Sequence, residues 1–170
     1  MKVILIANIS ANGKVLLAEN VNHQPPQEAI GFYIQKAIDA GSLIIGRRTF
    51  EIIQQFPGGI KQIFPDVKIV LLSTVGDRSE EFKVVDTPEK AIRYLTEKGF
   101  TEVVIGGGTQ TYSAFLEHDL ITEMYLNIIP VITGNGGIIG TDEELFTTFK
   151  LSEYKALSDD IVQLHLSKQK

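Results

Sequence analysis

The constraint that weighs most on this sequence is a repeated pairing of short apolar runs with helix-like segments. Leu43-Ile44-Ile45 closes on Gly46, and a helix-like stretch follows. Val103-Val104-Ile105 runs into Gly106-Gly107-Gly108, and another follows. A run that is apolar at every position is covered on both faces, as a parallel strand between helices is. The expected class is therefore α/β, with a mostly parallel sheet and helices on both faces.

The expected strands are Val3 to Ile9, Leu43 to Ile45, Val67 to Leu72, Phe82 to Val85, Glu102 to Ile105 and Glu123 to Ile129. A helix is expected from Gln27 to Ala40, with Ile30, Ile34, Ala37 and Ile38 as its apolar stripe and Gly41 as its stop. A second runs from about Arg48 to Phe56 and is stopped by Pro57-Gly58-Gly59. Thr87-Pro88-Glu89 begins a third, with a capping hydroxyl, a proline at the first turn and an acid beside it. Gln110 to Glu117 forms a fourth. The tail reads as an antiparallel hairpin. Tyr154 to Leu157 is expected to pair with Ile161 to Leu166 across Ser158-Asp159-Asp160, with Val162, Leu164 and Leu166 facing inward.

The chain has 170 residues, 44% of them hydrophobic and 22% charged, without linker, repeat or low-complexity stretch. One domain spanning residues 1–170 is expected. No apolar run approaches the roughly 18 residues a membrane span needs. The apolar opening up to Ala7 is too short for a signal-peptide core, so a cytoplasmic location is expected. The net charge is -5 and no long Lys/Arg block exists. That speaks against nucleic acid or an anionic membrane as a partner and leaves a small-molecule substrate. There are no cysteines, so disulfides, thiol catalysis and cysteine-bound metal are excluded. His23, His118 and His165 are scattered without metal-ligand spacing, and no metal is expected.

Four segments carry candidate chemistry. Val104-Ile105-Gly106-Gly107-Gly108 is a strand entering a glycine turn and then a helix, which suits close approach of a diphosphate to backbone N–H groups. Thr111 occupies the third glycine position of a dinucleotide fingerprint, so the fingerprint is incomplete. Ile45-Gly46-Arg47-Arg48-Thr49-Phe50-Glu51 places two guanidiniums at a helix start, where they suit phosphate oxygens. In open α/β sheets ligands bind at the carboxyl ends of strands, and two such ends point to a nucleotide. Ser10-Ala11-Asn12-Gly13-Lys14 is a polar loop that can cover a ligand. Thr133-Gly134-Asn135-Gly136-Gly137 is a binding loop or a plain turn.

In this order these segments, with Tyr112, Phe115-Leu116, Leu120-Ile121-Thr122-Glu123 and Pro130-Val131, resemble the dihydrofolate reductase-like superfamily. The resemblance is closest to its riboflavin-pathway branch, the reductase half of the bifunctional deaminase–reductase, and covers nearly the whole chain. It implies a three-layer dihydrofolate reductase-like fold and hydride transfer from NADPH, with NADH the alternative. Ala7 and Asn8 would lie against the nicotinamide, with Ser10, Asn12 and Gly13 in the loop over it. Gly46, Arg47, Arg48 and Thr49 would hold the phosphates from one side. Gly106, Gly107, Gly108, Thr109, Gln110 and Tyr112 would lie on the other. Leu72, Ser73 and Thr74 would flank the adenosine end. The substrate would be a ribosylaminopyrimidine phosphate such as 5-amino-6-(5-phosphoribosylamino)uracil, with Tyr33, Phe50 and Phe56 beside it. Glu51, Glu28 or a water would supply the proton. A homodimer is in keeping with the resemblance, and the hairpin edge offers it a surface.

Three departures keep other readings open. The family loop Ser-Leu-Asp-Gly-Lys has Asn12 here in place of Asp. The helix carboxylate of folate reductases falls on Ile30, two positions from Glu28. Val75 follows Thr74 where many NADPH users place Arg, and Arg78 comes later. A nucleotide-binding module without catalysis and a divergent dihydrofolate reductase are the alternatives. The zinc ligands of a deaminase part are absent.

Overall fold

The computed structural model describes residues 1–16, 25–75 and 79–169. The strands are β1 (Lys2–Ser10), β2 (Ser42–Gly46), β3 (Lys68–Leu72), β4 (Lys83–Val85), β5 (Glu102–Ile105), β6 (Glu123–Ile129), β7 (Phe149–Ala156) and β8 (Val162–Lys168). They form one sheet in the order β4-β3-β2-β5-β1-β6-β8-β7. From β4 to β6 every pairing is parallel, and β8 and β7 run antiparallel at one edge. The helices are α1 (Gln27–Ala40), α2 (Arg47–Gln54), α3 (Gly59–Ile63), α4 (Pro88–Glu97) and α5 (Thr109–Glu117). This is the dihydrofolate reductase-like architecture that the motifs led us to expect.

The sheet is covered on both faces because its strands are apolar on both faces. Along β1, Val3, Leu5 and Ala7 enter one core with Ala91 and Leu95 of α4 and Phe115 of α5. Ile4 and Ile6 enter the other with Ala37 of α1, Ile60 of α3 and Phe64. The Thr87 hydroxyl caps α4 by accepting from Lys90 N at 3.3 Å, as its sequence signature predicts.

Two expectations are corrected and one helix is added. Ile30 and Ile38 are 39% and 38% exposed, so they are not the buried stripe of α1. Of that stripe Ala37 is buried and Ile34 packs partly buried on the core; Ala29 joins them, and the small alanine side chains let the helix lie close on the sheet. α2 ends at Gln54, ahead of Pro57-Gly58-Gly59 as expected, but a further helix that was not expected follows. Gly58 and Gly59 take positive φ, and α3 follows, burying Ile60 and delivering Phe64 to the core. Gln54 Oε1 holds its start by accepting from Ile60 N at 2.9 Å. In β8 the burial is reversed at its first positions: Val162 is 45% exposed and Gln163 only 2%. The partner strand β6 presents Asn127 opposite Gln163, so a polar pair occupies the covered face. Among the described residues no helix is long and apolar enough to cross a membrane.

Candidate active site

β2 and β5 are parallel neighbours; β2 ends on Gly46, and β5 runs directly into Gly106. Gly46 N donates to Gly107 O at 2.8 Å, and Gly106 N donates to Ile44 O at 2.7 Å. The two strand ends meet closely enough that a Cβ on Gly46 would overlap Thr111 Oγ1 and stand 3.2 Å from Gly107 O. Gly107 takes φ 85°, a conformation suited to glycine. α2 and α5 start directly from these ends, capped by Gly46 and Gly108 without any side-chain hydrogen bond. Neither cap residue offers a side-chain acceptor to the first-turn N–H groups, and both helix dipoles present positive ends.

A cleft of about 850 Å³ opens between the two helix starts. Gly46, Arg47, Arg48, Thr49 and Glu51 line one side, and Gly108, Thr109 and Gln110 the other. Leu72, Ser73 and Thr74, from the end of β3, line it further out. Arg47 Nε holds Glu51 Oε1 at 2.8 Å across one helical turn, so this carboxylate is neutralised by a neighbouring guanidinium. Asp86, Pro88, Thr111, Gly136 and Gly137 are also among the lining residues. Gly136 and Gly137 belong to the glycine-rich loop that the sequence offers as a binding loop or a plain turn; the other three were not singled out as site residues from sequence. Asp86 precedes a helix cap and Thr111 marked only a missing glycine; neither carried a local sign of a site. The hydrogen bond from Lys90 holds the Asp86 carboxyl below the usual carboxylate range.

The loop after β1 does not itself line this cleft. It is strapped beside it. Ser10 N donates to Lys14 O at 2.8 Å, Ala11 N to Val131 O at 2.9 Å and Val15 N to Gly137 O at 2.9 Å. Asn12 uses both ends of its amide: Nδ2 donates to Thr133 O at 3.0 Å, and Oδ1 accepts from Thr133 N at 3.3 Å and from Ser10 Oγ at 2.7 Å. An aspartate could not make the donation, which gives Asn12 a physical reason to replace it. Gly13 borders a separate, mainly apolar cavity of about 380 Å³ with Ile9, Leu126 and Phe149. Ala7 is buried in the core, and Asn8 is half-buried.

The other candidates are dispersed. Tyr112 is buried in α5 and its hydroxyl donates to Ile6 O at 2.7 Å. The Tyr33 hydroxyl is buried, without a hydrogen-bond partner among the described residues, in the space that a Cβ on Gly106 would fill. Burial, with Tyr112 nearby, pushes its pKa well above the phenol range. Phe50 packs edge-on against Phe82 at 5.2 Å, while Phe56 is exposed. Glu28 is exposed in the first turn of α1 and does not reach the cleft lining. His23 and Arg78 lie outside the described residues.

Residues 1–163 match the family model of the RibD C-terminal domain. Among curated proteins none matches. Among solved structures, a Shewanella sp. PV-4 protein with a provisional riboflavin biosynthesis assignment is 20% identical with a TM-score of 0.75, covering 100% of both chains. A pyrimidine reductase-like protein of Corynebacterium diphtheriae is 18% identical with a TM-score of 0.76, over 99% of this chain and 92% of that one. Acinetobacter baumannii RibD is 18% identical with a TM-score of 0.77, and the match spans 99% of this chain but 58% of RibD.

Proposed function

The chain belongs to the RibD C-terminal domain family, and from that premise we propose that it is a nicotinamide-dependent reductase of riboflavin synthesis. The observation that carries this reading is the convergence of residues 46–49, 72–74 and 108–110 on one cleft. The cleft suits a dinucleotide diphosphate. Two uncapped helix starts and two arginines face it, and a side chain on Gly108 would crowd Thr49 Oγ1, at 3.2 Å from its Cβ.

In this proposal Arg47, Arg48, Thr49 and the α5 N–H groups bind phosphate oxygens. Ser73 and Thr74 hold the adenosine end, and Ala7 and Asn8 border the nicotinamide end. A bound reduced nicotinamide supplies a hydride to the electrophilic sugar carbon of a ribosylaminopyrimidine phosphate, giving a ribityl chain. The protein contributes orientation and exclusion of water. The proton that completes the reduction reaches the sugar oxygen from water, since Glu51 is held by Arg47 and Glu28 is exposed. NADPH is the proposed cofactor, with NADH as the alternative. A homodimer and a cytoplasmic location belong to the same proposal.

The test is parallel titration with NADPH and NADH, followed by calorimetry or by the cofactor's own emission, because the chain has no tryptophan. Arg47→Ala should weaken binding about tenfold, the size of one charge-assisted hydrogen bond. Oxidation of the bound cofactor by 5-amino-6-(5-phosphoribosylamino)uracil should follow. If neither cofactor binds, the glycine turns are structural and the reductase reading falls. Binding without turnover of any pyrimidine or dihydrofolate would leave a nucleotide-binding module.

A further inference from the structure

β6 and β7 are joined by residues 130–148, which form neither helix nor strand. Connections this long are uncommon inside a compact domain and ordinarily carry a function of their own. This one leaves Ile132, Ile138 and Phe146 exposed, Phe146 at 89%. No other large apolar side chain among the described residues is as exposed as Phe146. The same loop walls the apolar cavity of about 380 Å³. Leu116 and Met124 are buried beside it, Leu126 and Phe149 are half-buried, and Ile138 and Phe146 stand at its rim. The cavity is apart from the cleft, and the two share no lining residue.

The chemistry of the cavity narrows what can fill it. No charged side chain lines it, and its one hydroxyl, Thr147 Oγ1, is shut off from solvent. No side chain there would orient a small molecule, whose sites carry a few placed polar groups. An aromatic ring fits, since a cavity of about 150 Å³ already accepts benzene. The patch that offers this hole also offers a ring beside it, Phe146. A knob and its hole on one patch are self-complementary under a two-fold axis, as an isologous interface requires. The charges agree with that axis. Asp142 stands four residues before Phe146 and Lys150 four after; both are exposed, and neither is ion-paired among the described residues. Two copies crossing antiparallel at Phe146 bring Asp142 of each toward Lys150 of the other.

We propose that this face binds a second copy of the chain, with Phe146 of each copy seated in the cavity of the other. The interface is then the loop between β6 and β7, and not the outer edge of the β7–β8 hairpin. The proposal rests on the homodimer of the reductase reading only for there being a second copy; the choice of face does not.

Sedimentation of the full chain at micromolar concentration should show a dimer. Phe146→Asp should raise its dissociation constant about a hundredfold or more, because an aromatic anchor is lost at both ends of a symmetric contact. Phe146 touches little of its own fold, so the variant should keep the wild-type circular dichroism spectrum as a monomer. Asp142→Lys should weaken the dimer severalfold, and joining it to Lys150→Asp should restore it. Tyr154→Asp, exposed at the hairpin edge, should leave the dimer intact. A monomeric wild type would overturn the proposal. So would a dimer indifferent to Phe146→Asp, or one that Tyr154→Asp dissociates in its place. Should Phe146→Asp not fold, the charge exchange decides: a double variant no tighter than Asp142→Lys alone would refute the interface. Sedimentation needs no cofactor, so failure to bind NADPH or NADH sinks the reductase reading without deciding this one. A monomer, in turn, leaves the cofactor chemistry standing.

Discussion

Where β2 and β5 end, backbone meets backbone: Gly46 N donates to Gly107 O, and no Cβ fits between them and Thr111. Across β1, β6 and β8, side chains meet instead: Gln163 to Asn127 to Asn8, in one covered row. The first place brings polar groups together by removing side chains. The second does so by inserting them where apolar residues would ordinarily stand. The difference tells how each is damaged. The glycine crossing breaks when an atom is added. The amide row breaks when a partner is lost.

The largest effect is expected at the centre of the row. Asn127→Leu leaves Asn8 Oδ1 without its donor and Gln163 Nε2 without its acceptor. Two groups stranded in this way cost about 3 kcal/mol together. Urea unfolding should show a lower midpoint with an unchanged slope. A loss below about 1 kcal/mol would mean that water replaces the missing amide, and the contrast with the glycine crossing would weaken.

Gly46→Ala comes next, at about 2 kcal/mol, because its Cβ overlaps Thr111 Oγ1. Adding Thr111→Ala should restore most of that stability, leaving only the approach to Gly107 O. No recovery would place the strain in the backbone crossing itself.

The two regions were also unequally legible. β2, β5 and their helices follow from apolar runs ending on glycine, because a strand covered on both faces and a turn needing no Cβ are both local requirements. The cleft gathered Arg47, Ser73 and Thr109 as expected for the same reason: each follows the end of a strand. Asp86 and Pro88 reach the cleft only through tertiary folding, and no spacing announces it. α3 was hidden behind Pro57-Gly58-Gly59, with only Ile60, Ile63 and Phe64 to betray it over five residues. The amide row was missed because Val162, Leu164 and Leu166 alternate like a core face. What overrides that pattern is Asn127, thirty-six positions away from Gln163 in sequence. On α1 the exposed Ile30 and Ile38 misled for a related reason: alanines, not isoleucines, set how near the helix lies.

Smaller effects of opposite sign are expected at the two tyrosines flanking the glycine turn. Tyr112→Phe removes the hydrogen bond to Ile6 O and should cost about 1 kcal/mol. Tyr33→Phe removes a buried hydroxyl that has no partner among the described residues and should stabilise by about 1 kcal/mol. Burial holds both phenols protonated above their ordinary range. Their folded pKa values are raised, so the stability they contribute is complete below about pH 10, the unfolded value, and is lost as pH climbs through the folded ones. Thermal unfolding against pH should therefore show an alkaline decline that Tyr33→Phe reduces. A destabilised Tyr33→Phe protein would show that the hydroxyl has a partner in solution.

The smallest effect is expected at the cleft's outer wall, where the comparison reaches its limit: an exposed pair that neither a missing Cβ nor a buried partner sustains. Lys90 Nζ donates to Asp86 Oδ2 at 2.8 Å, and this bond is the first cause that lowers the Asp86 pKa. A depressed carboxylate contributes stability above its unfolded pKa of about 4 and loses it as pH falls through the lower folded value. Here both side chains are more than half exposed, at 52% and 54%, so solvent screens the pair and the contribution is slight. Lys90→Met should raise the Asp86 pKa toward its ordinary value, read by carboxyl NMR titration, while the unfolding midpoint at neutral pH stays within error. A clear loss of stability at neutral pH would show that the pair supports the start of α4, whose first turn it adjoins, more than its exposure implies.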